Sequence, residues 1–193
     1  ALDKKTGKPA WNSQTIGGMS YASPMITAID KIEQVVMISE RSIVGADVKN
    51  GRILWKFEGW KCRYPIASIT AIGDGRLFVT SIKSGPYNSN SVMFRAKLQG
   101  GKWTVKEEFN TLDLQSHMPN PLLYGKFLYA NSAASGKRLV CMDLDGKIKW
   151  NKAGLNDTGG ELVIAQDMIY MMNGSNGTLY LIKASPEEYK ELA

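Results

Sequence analysis

His117 is the single histidine of the chain and sits in Gln115-Ser116-His117-Met118-Pro119-Asn120. An imidazole titrates near neutrality and ligates metals, so this residue could serve as a general base or a metal ligand. Both roles need company: a base needs an orienting group and a metal needs further donors. No carboxylate pair lies nearby in sequence, so a loop-packing histidine is the stronger reading. Asn156-Asp157-Thr158-Gly159 is the nearest approach to the hard-oxygen cluster that calcium requires. The same four residues also spell an ordinary turn, and that reading prevails. Gly59-Trp60-Lys61-Cys62-Arg63-Tyr64-Pro65 sets Trp60 and Tyr64 beside Arg63, a combination that could form a platform for a sugar, a peptide or an anionic group. The competing reading has Trp60 capping a sheet edge and Arg63 solvated. Cys62 and Cys141 are isolated and expected as free thiols, Cys141 as a small buried side chain. No nucleophile elbow, phosphate-cradling glycine loop or zinc spacing is present.

These residues need a scaffold to position them. At 193 residues, 44% apolar and 22% charged, the chain has the composition of a globular domain. Its longest apolar runs are strand-sized, as in Gln34-Val-Val-Met-Ile-Ser39, so no membrane span is expected. The net charge of +6 comes from basic residues scattered in ones and twos, which fits a solvated surface and not nucleic-acid binding.

The scaffold is a repeat. Ala1-Leu2-Asp3-Lys4-Lys5-Thr6-Gly7-Lys8-Pro9-Ala10-Trp11 recurs as Gly45-Ala46-Asp47-Val48-Lys49-Asn50-Gly51-Arg52-Ile53-Leu54-Trp55, and one residue shorter as Cys141-Met142-Asp143-Leu144-Asp145-Gly146-Lys147-Ile148-Lys149-Trp150. Asp3 and Asp47 can accept hydrogen bonds from the backbone of their own turns, and Gly7 and Gly51 stand where a tight hairpin needs positive φ. Each Trp then covers apolar area between neighbouring sheets. Trp11 and Trp55 are 44 residues apart, and Trp103 falls midway between Trp55 and Trp150, so it is expected to anchor a unit with a divergent hairpin.

Short β-branched and aromatic runs, separated by Gly, Asn, Asp and Pro, predict successive strands throughout. They group in fours: 23–28, 34–39, 42–47 and 52–57; 65–71, 76–81, 91–98 and 102–109; 121–124, 126–130, 138–144 and 147–150; then 161–165, 168–172 and 178–183, with a last strand missing. The expected fold is therefore all-β, a β-propeller of four-stranded antiparallel blades. The boundaries read as a blade end at 1–15, blades at 16–60, 61–110 and 111–152, and an incomplete blade at 153–184. The sequence Ser185-Pro186-Glu187-Glu188 has the form of a capping box, which predicts a short helical turn over 185–193.

The Ala-x-Asp-x-x-Thr-Gly-x-x-x-Trp pattern, complete at residues 1–11 and near-complete at 45–55, resembles the tryptophan-docking repeat of pyrroloquinoline-quinone-type β-propellers. That group includes quinoprotein alcohol dehydrogenases and a scaffold lipoprotein of the outer-membrane β-barrel assembly machinery. The resemblance implies a ring of eight blades, of which this chain supplies about four, the remainder coming from another segment or a second copy; the competing, weaker reading is a small four-bladed ring closed by packing residues 1–15 against the last, incomplete unit. It also implies export to the periplasm or cell envelope of a bacterium. Quinoprotein dehydrogenases carry a calcium site and typically a vicinal cysteine pair, and the chain has no Cys-Cys. The leading expectation is thus a non-catalytic module, without cofactor, that binds a protein or a glycan through its interblade loops. The alternative is half of a quinone-dependent dehydrogenase using pyrroloquinoline quinone and calcium. Lyase or hydrolase chemistry at the funnel would need a carboxylate and cation cluster that the sequence does not assemble.

Overall fold

The computed structural model describes residues 1–82, 87, 90–134, 136, 138–155 and 160–193. Its strands form four successive blades. Blade 1 contains β1 (Met25–Ile29), β2 (Ile32–Ile38), β3 (Ile43–Asp47) and β4 (Ile53–Phe57); blade 2 contains β5 (Thr70–Gly73), β6 (Arg76–Val79), β7 (Ser91–Gln99) and β8 (Lys102–Thr111). Blade 3 contains β9 (Leu122–Tyr124), β10 (Phe127–Ser132), β11 (Arg138–Asp143) and β12 (Ile148–Ala153); blade 4 contains β13 (Leu162–Ala165), β14 (Met168–Met172) and β15 (Leu179–Lys183). Every sheet is antiparallel and ordered as its strands occur in the chain. Each strand overlaps the run that alternation predicts for it, because tight turns punctuate the chain at fixed places. Asp30–Lys31 and Gln166–Asp167 both have positive φ at two consecutive residues, the mirror-image turn whose twist matches a hairpin.

Side chains alternate between the faces of each blade, so each has a leading face toward the next blade and a trailing face toward the previous one. Three buried clusters fill the junctions. Ile38, Trp55 and Phe57 of blade 1 meet Leu77, Val79 and Phe94 of blade 2, with Phe57 stacked on Phe94 at 4.3 Å between ring centroids. Phe78 and Met93 meet Leu128, Val140 and Met142 at the second junction. Tyr129, Cys141 and Trp150 meet Leu162, Ile169 and Ile182 at the third. Among the described residues no buried cluster joins blade 4 to blade 1, and the leading face of blade 4 exposes Val163, Met172 and Leu179.

Blades 1 to 3 each carry a register shift at the same point of their third strand, between Gly45/Ala46, Met93/Phe94 and Cys141/Met142. Opposite the shift stand Trp55, Phe109 and Trp150. Phe109, not Trp103, therefore holds the repeat position in blade 2. It lies over the next blade's turn, where a methyl group on Gly146 would come within 2.8 Å of its ring. Trp103 pairs with Leu98 near the hairpin tip and packs, partly buried, against the first cluster. Residue counting misplaces the anchor because the blade 2 hairpin is longer than its neighbours.

The other anchors also dock forward. The indole of Trp11 donates to the Val48 carbonyl at 2.9 Å and covers Gly51, and that of Trp150 donates to the Ser185 carbonyl at 2.7 Å. Trp55 instead stays within blade 1, donating to Gln34 Oε1 at 2.5 Å, with its ring edge toward Phe94 of blade 2.

The C-terminal helical turn does not form. Residues 185–189 make a turn, and residues 190–193 return along β15: Lys183 N–H donates to the Lys190 carbonyl at 2.9 Å and Leu192 N–H to the Leu181 carbonyl at 2.7 Å. Nine residues are too few to sustain an isolated helix. The open edge of β15 satisfies the same backbone groups and supplies the strand pairing expected to be missing.

Candidate functional site

The blades place two kinds of connection at opposite ends. The β1/β2 and β3/β4 hairpins and their counterparts gather at one end. The interblade connections at 12–24, 58–69 and 112–121, together with the loops at 39–42 and 173–178 between second and third strands, gather at the other. Of the sequence-predicted ligand residues, Trp60, Arg63, Tyr64 and His117 belong to the second end.

This loop face is held by buried hydroxyl and amide groups at the strand ends. Ser39 Oγ and Ser42 Oγ donate to the Ile16 carbonyl at 3.1 and 3.0 Å. Ser91 Oγ donates to the Leu114 carbonyl at 2.5 Å, and Thr80 Oγ1 accepts from Ser116 N–H at 2.9 Å. Ser132 Oγ accepts from Gln115 N–H at 2.8 Å, while Asn131 and Asn173 donate to the carbonyls of Gly160 and Leu155. Each bond satisfies a backbone group of a loop that has no ladder partner, which is how an irregular segment can lie fixed on a sheet end. The loops are also tied to one another. Tyr21 and Ala22 N–H donate to the Pro65 carbonyl, Ser23 N–H to Ser68 Oγ, and Ser68 N–H to Asn120 Oδ1.

Among their polar residues these loops expose apolar and aromatic side chains. Met19, Tyr21, Tyr64, Leu112 and Met118, five of the exposed large hydrophobic residues, all lie in the first three connections. Tyr64 is 38% exposed, with the Arg63 guanidinium 5.2 Å from its ring centroid. His117 is half-buried beside Met118. Trp60 is not part of a platform: it is 1% exposed, packs in the first cluster and donates to the Asn90 carbonyl at 2.8 Å. The structure thus brings Arg63 and Tyr64 together, separates Trp60 from them, and leaves His117 on the neighbouring loop. Asn156 and Asp157 lie outside the described residues, as does most of the long insertion beginning at Lys83. Met19, Tyr21, Leu112 and Met118 give no signal in sequence, because single apolar residues in loops carry no pattern.

The perturbed titrations are structural. Burial pushes the Cys141 thiol up to about 11, and burial also raises the phenol of its cross-strand partner Tyr129. Asp3 is held below the usual carboxylate range by the Thr6 hydroxyl and by backbone N–H groups of its own turn. Cys62 is likewise a buried free thiol, 3.0 Å from Ser81 Oγ. Among the described residues no three of His, Cys, Asp and Glu converge in a way that could hold a metal ion.

The family model of the outer membrane protein assembly factor BamB matches residues 1–151 and again residues 40–185, an offset of about one blade, as a repeat dictates. The crystal structure of BamB from Moraxella catarrhalis matches with a TM-score of 0.58 at 16% identity, covering 95% of this chain and 52% of that one. The chain therefore spans about half the length of that protein. The computationally designed Ika4 protein matches with a TM-score of 0.62 at 12% identity, covering 93% of this chain and 99% of that one. At such identities the likeness is one of fold. No curated protein matches the chain.

Proposed function

The chain belongs to the family of the outer membrane protein assembly factor BamB, and from that premise we propose that it is a non-catalytic scaffold module that binds protein through its loop face. The observation that carries this reading is the concentration of Met19, Tyr21, Tyr64, Leu112 and Met118 on mutually tied loops. Exposed aromatic and methionine side chains on a fixed support are what protein contacts use, because their burial is favourable and little order is lost in binding. A glycan would call for more hydrogen-bonding groups around a stacking ring, so protein is the preferred ligand over glycan. The family also supports a place in the bacterial cell envelope, on the periplasmic side of the outer membrane. The bare leading face of blade 4 supports completion of the ring by further blades, from another segment or a second copy.

The test is site-specific photo-crosslinking in intact cells, with the reactive residue at position 21, 64 or 118 and, as control, at position 166 on the hairpin end. Crosslinks to envelope protein at the three loop positions and not at the control are expected. Equal crosslinking at position 166, or none at the loops, would defeat the loop-face assignment.

A further inference from the structure

The hairpin of β7 and β8 departs from the repeat. Its strands have nine and ten residues, against five in β3 and β4 and six in β11 and β12. Phe109 already lies level with the Gly146 turn of blade 3. An excess of about four residues per strand carries the tip roughly 13 Å beyond the neighbouring hairpins.

The two faces of this overhang are unlike. Toward blade 1, Ala96 belongs to the first cluster, and Val105 opposite it and Trp103 opposite Leu98 pack against that cluster. The other face pairs Arg95 with Lys106, Lys97 with Thr104 and Gln99 with Lys102; all of these but Lys102, together with Glu107 and Glu108, line an open cleft of about 500 Å³. Arg95 is already engaged, its Nε donating to Glu108 at 2.6 Å and its Nη1 to both the carbonyl and the carboxylate of Asp74. Lys97, Lys102 and Lys106 have no ion-pair partner among the described residues. Among the described residues β8 pairs with β7 alone, so along its ten residues the backbone groups of alternate positions face an open edge.

We propose that the open edge of β8 is a strand-addition site for an extended acidic segment of a protein partner. Main-chain bonds to the edge supply affinity, and side chains at alternate positions supply selection. Carboxylates two residues apart fall beside Lys102, Thr104 and Lys106 on one face of the extended sheet. The same lysines repel a second copy of this edge, which would set like charges side by side. This site lies on the hairpin end, so it stands apart from the loop-face reading.

The probe is a fluorescein-labelled peptide of alternating Glu and Val flanked by Thr, followed by anisotropy against the whole chain. Saturable binding is expected. Lys102→Glu combined with Lys106→Glu should weaken it at least tenfold with an unchanged melting curve, since both side chains are exposed. Methylating alternate peptide nitrogens should abolish it, and Tyr64→Ala on the loop face should leave it intact. No saturable binding, equal binding of a Lys-Val peptide, or retained affinity of the methylated peptide would each overturn the proposal.

Discussion

Replacing Gly51 by Ala should destabilise the chain far more than the same change at Gly177, although the two glycines have the same backbone. Their φ angles are +73° and +74°, and each N–H closes its turn on a carbonyl four residues back at 2.8 Å, Asp47 for one and Asn173 for the other. Forcing alanine into this left-handed conformation costs about 1–2 kcal/mol at either site. At Gly177 nothing lies within 4 Å of the added methyl group, so the conformational cost stands alone. At Gly51 the methyl group would fall inside the Trp11 ring, and the indole must withdraw. Withdrawal gives up the bond to the Val48 carbonyl, about 1 kcal/mol, and about another 1 kcal/mol of aromatic contact, since Trp11 is only half-buried. Gly51→Ala should therefore cost about 3–4 kcal/mol and Gly177→Ala about 1–2. Urea unfolding followed by far-UV circular dichroism measures both. Repeating Gly51→Ala on a Trp11→Ala background completes a double-mutant cycle, in which the Gly51 cost should fall to that of Gly177. Equal costs at the two glycines in the wild-type background, or an additive cycle, would refute the claim that the indole seats on the glycine.

Other outcomes follow from the same geometry. Trp150→Phe should cost about 1 kcal/mol for the lost bond to Ser185, and Trp150→Ala about 3–5, because a 9%-exposed indole between Tyr129 and Tyr189 leaves a cavity; urea midpoints distinguish them. Cys62 and Cys141 should both resist a thiol-specific reagent such as 5,5′-dithiobis(2-nitrobenzoic acid) in the native state and both react on unfolding; fast labelling of either would contradict their burial. The raised Cys141 thiol favours the folded state below its ordinary value of 9.0. That contribution should be lost as pH rises from about 9 to 11, and Cys141→Ala should flatten this part of the stability curve. Asn173→Ala should cost about 1–3 kcal/mol, as Asn173 both caps its own turn through Ser175 and donates to the Leu155 carbonyl.

The strands were open to reading because each depends on near neighbours: alternation within five to ten residues and turn residues at their ends. The failures share the opposite cause. Counting residues points to Trp103, whereas docking depends on register, and only pairing with β7 shows that Phe109 stands opposite the bulge. Ser185-Pro186-Glu187-Glu188 carries a local helix signal that loses to a backbone edge supplied by β15. Trp60 looks the same in sequence whether it faces solvent or fills a junction. Ser39, Ser91 and Asn131 resemble solvated strand residues until the loop carbonyls they hold are in place. Sequence points to the loop end of the molecule and to Arg63 and Tyr64 on it, but not to the exposed Met19, Tyr21, Leu112 and Met118.

The unlike faces of each blade carry a last consequence. A junction always joins a leading face to a trailing one, so the stack has a direction, as a polymer of polar monomers does, and two blades cannot meet head to head in the same way. Such a heterologous series closes only when the rotation per step divides the full circle. The number of units in a finished ring is therefore not written in any one turn motif. It is set by the angle at which side chains such as Phe57 and Phe94 stack across a junction, and a core substitution there that changed the angle by a few degrees would alter the closure without disturbing a single hairpin.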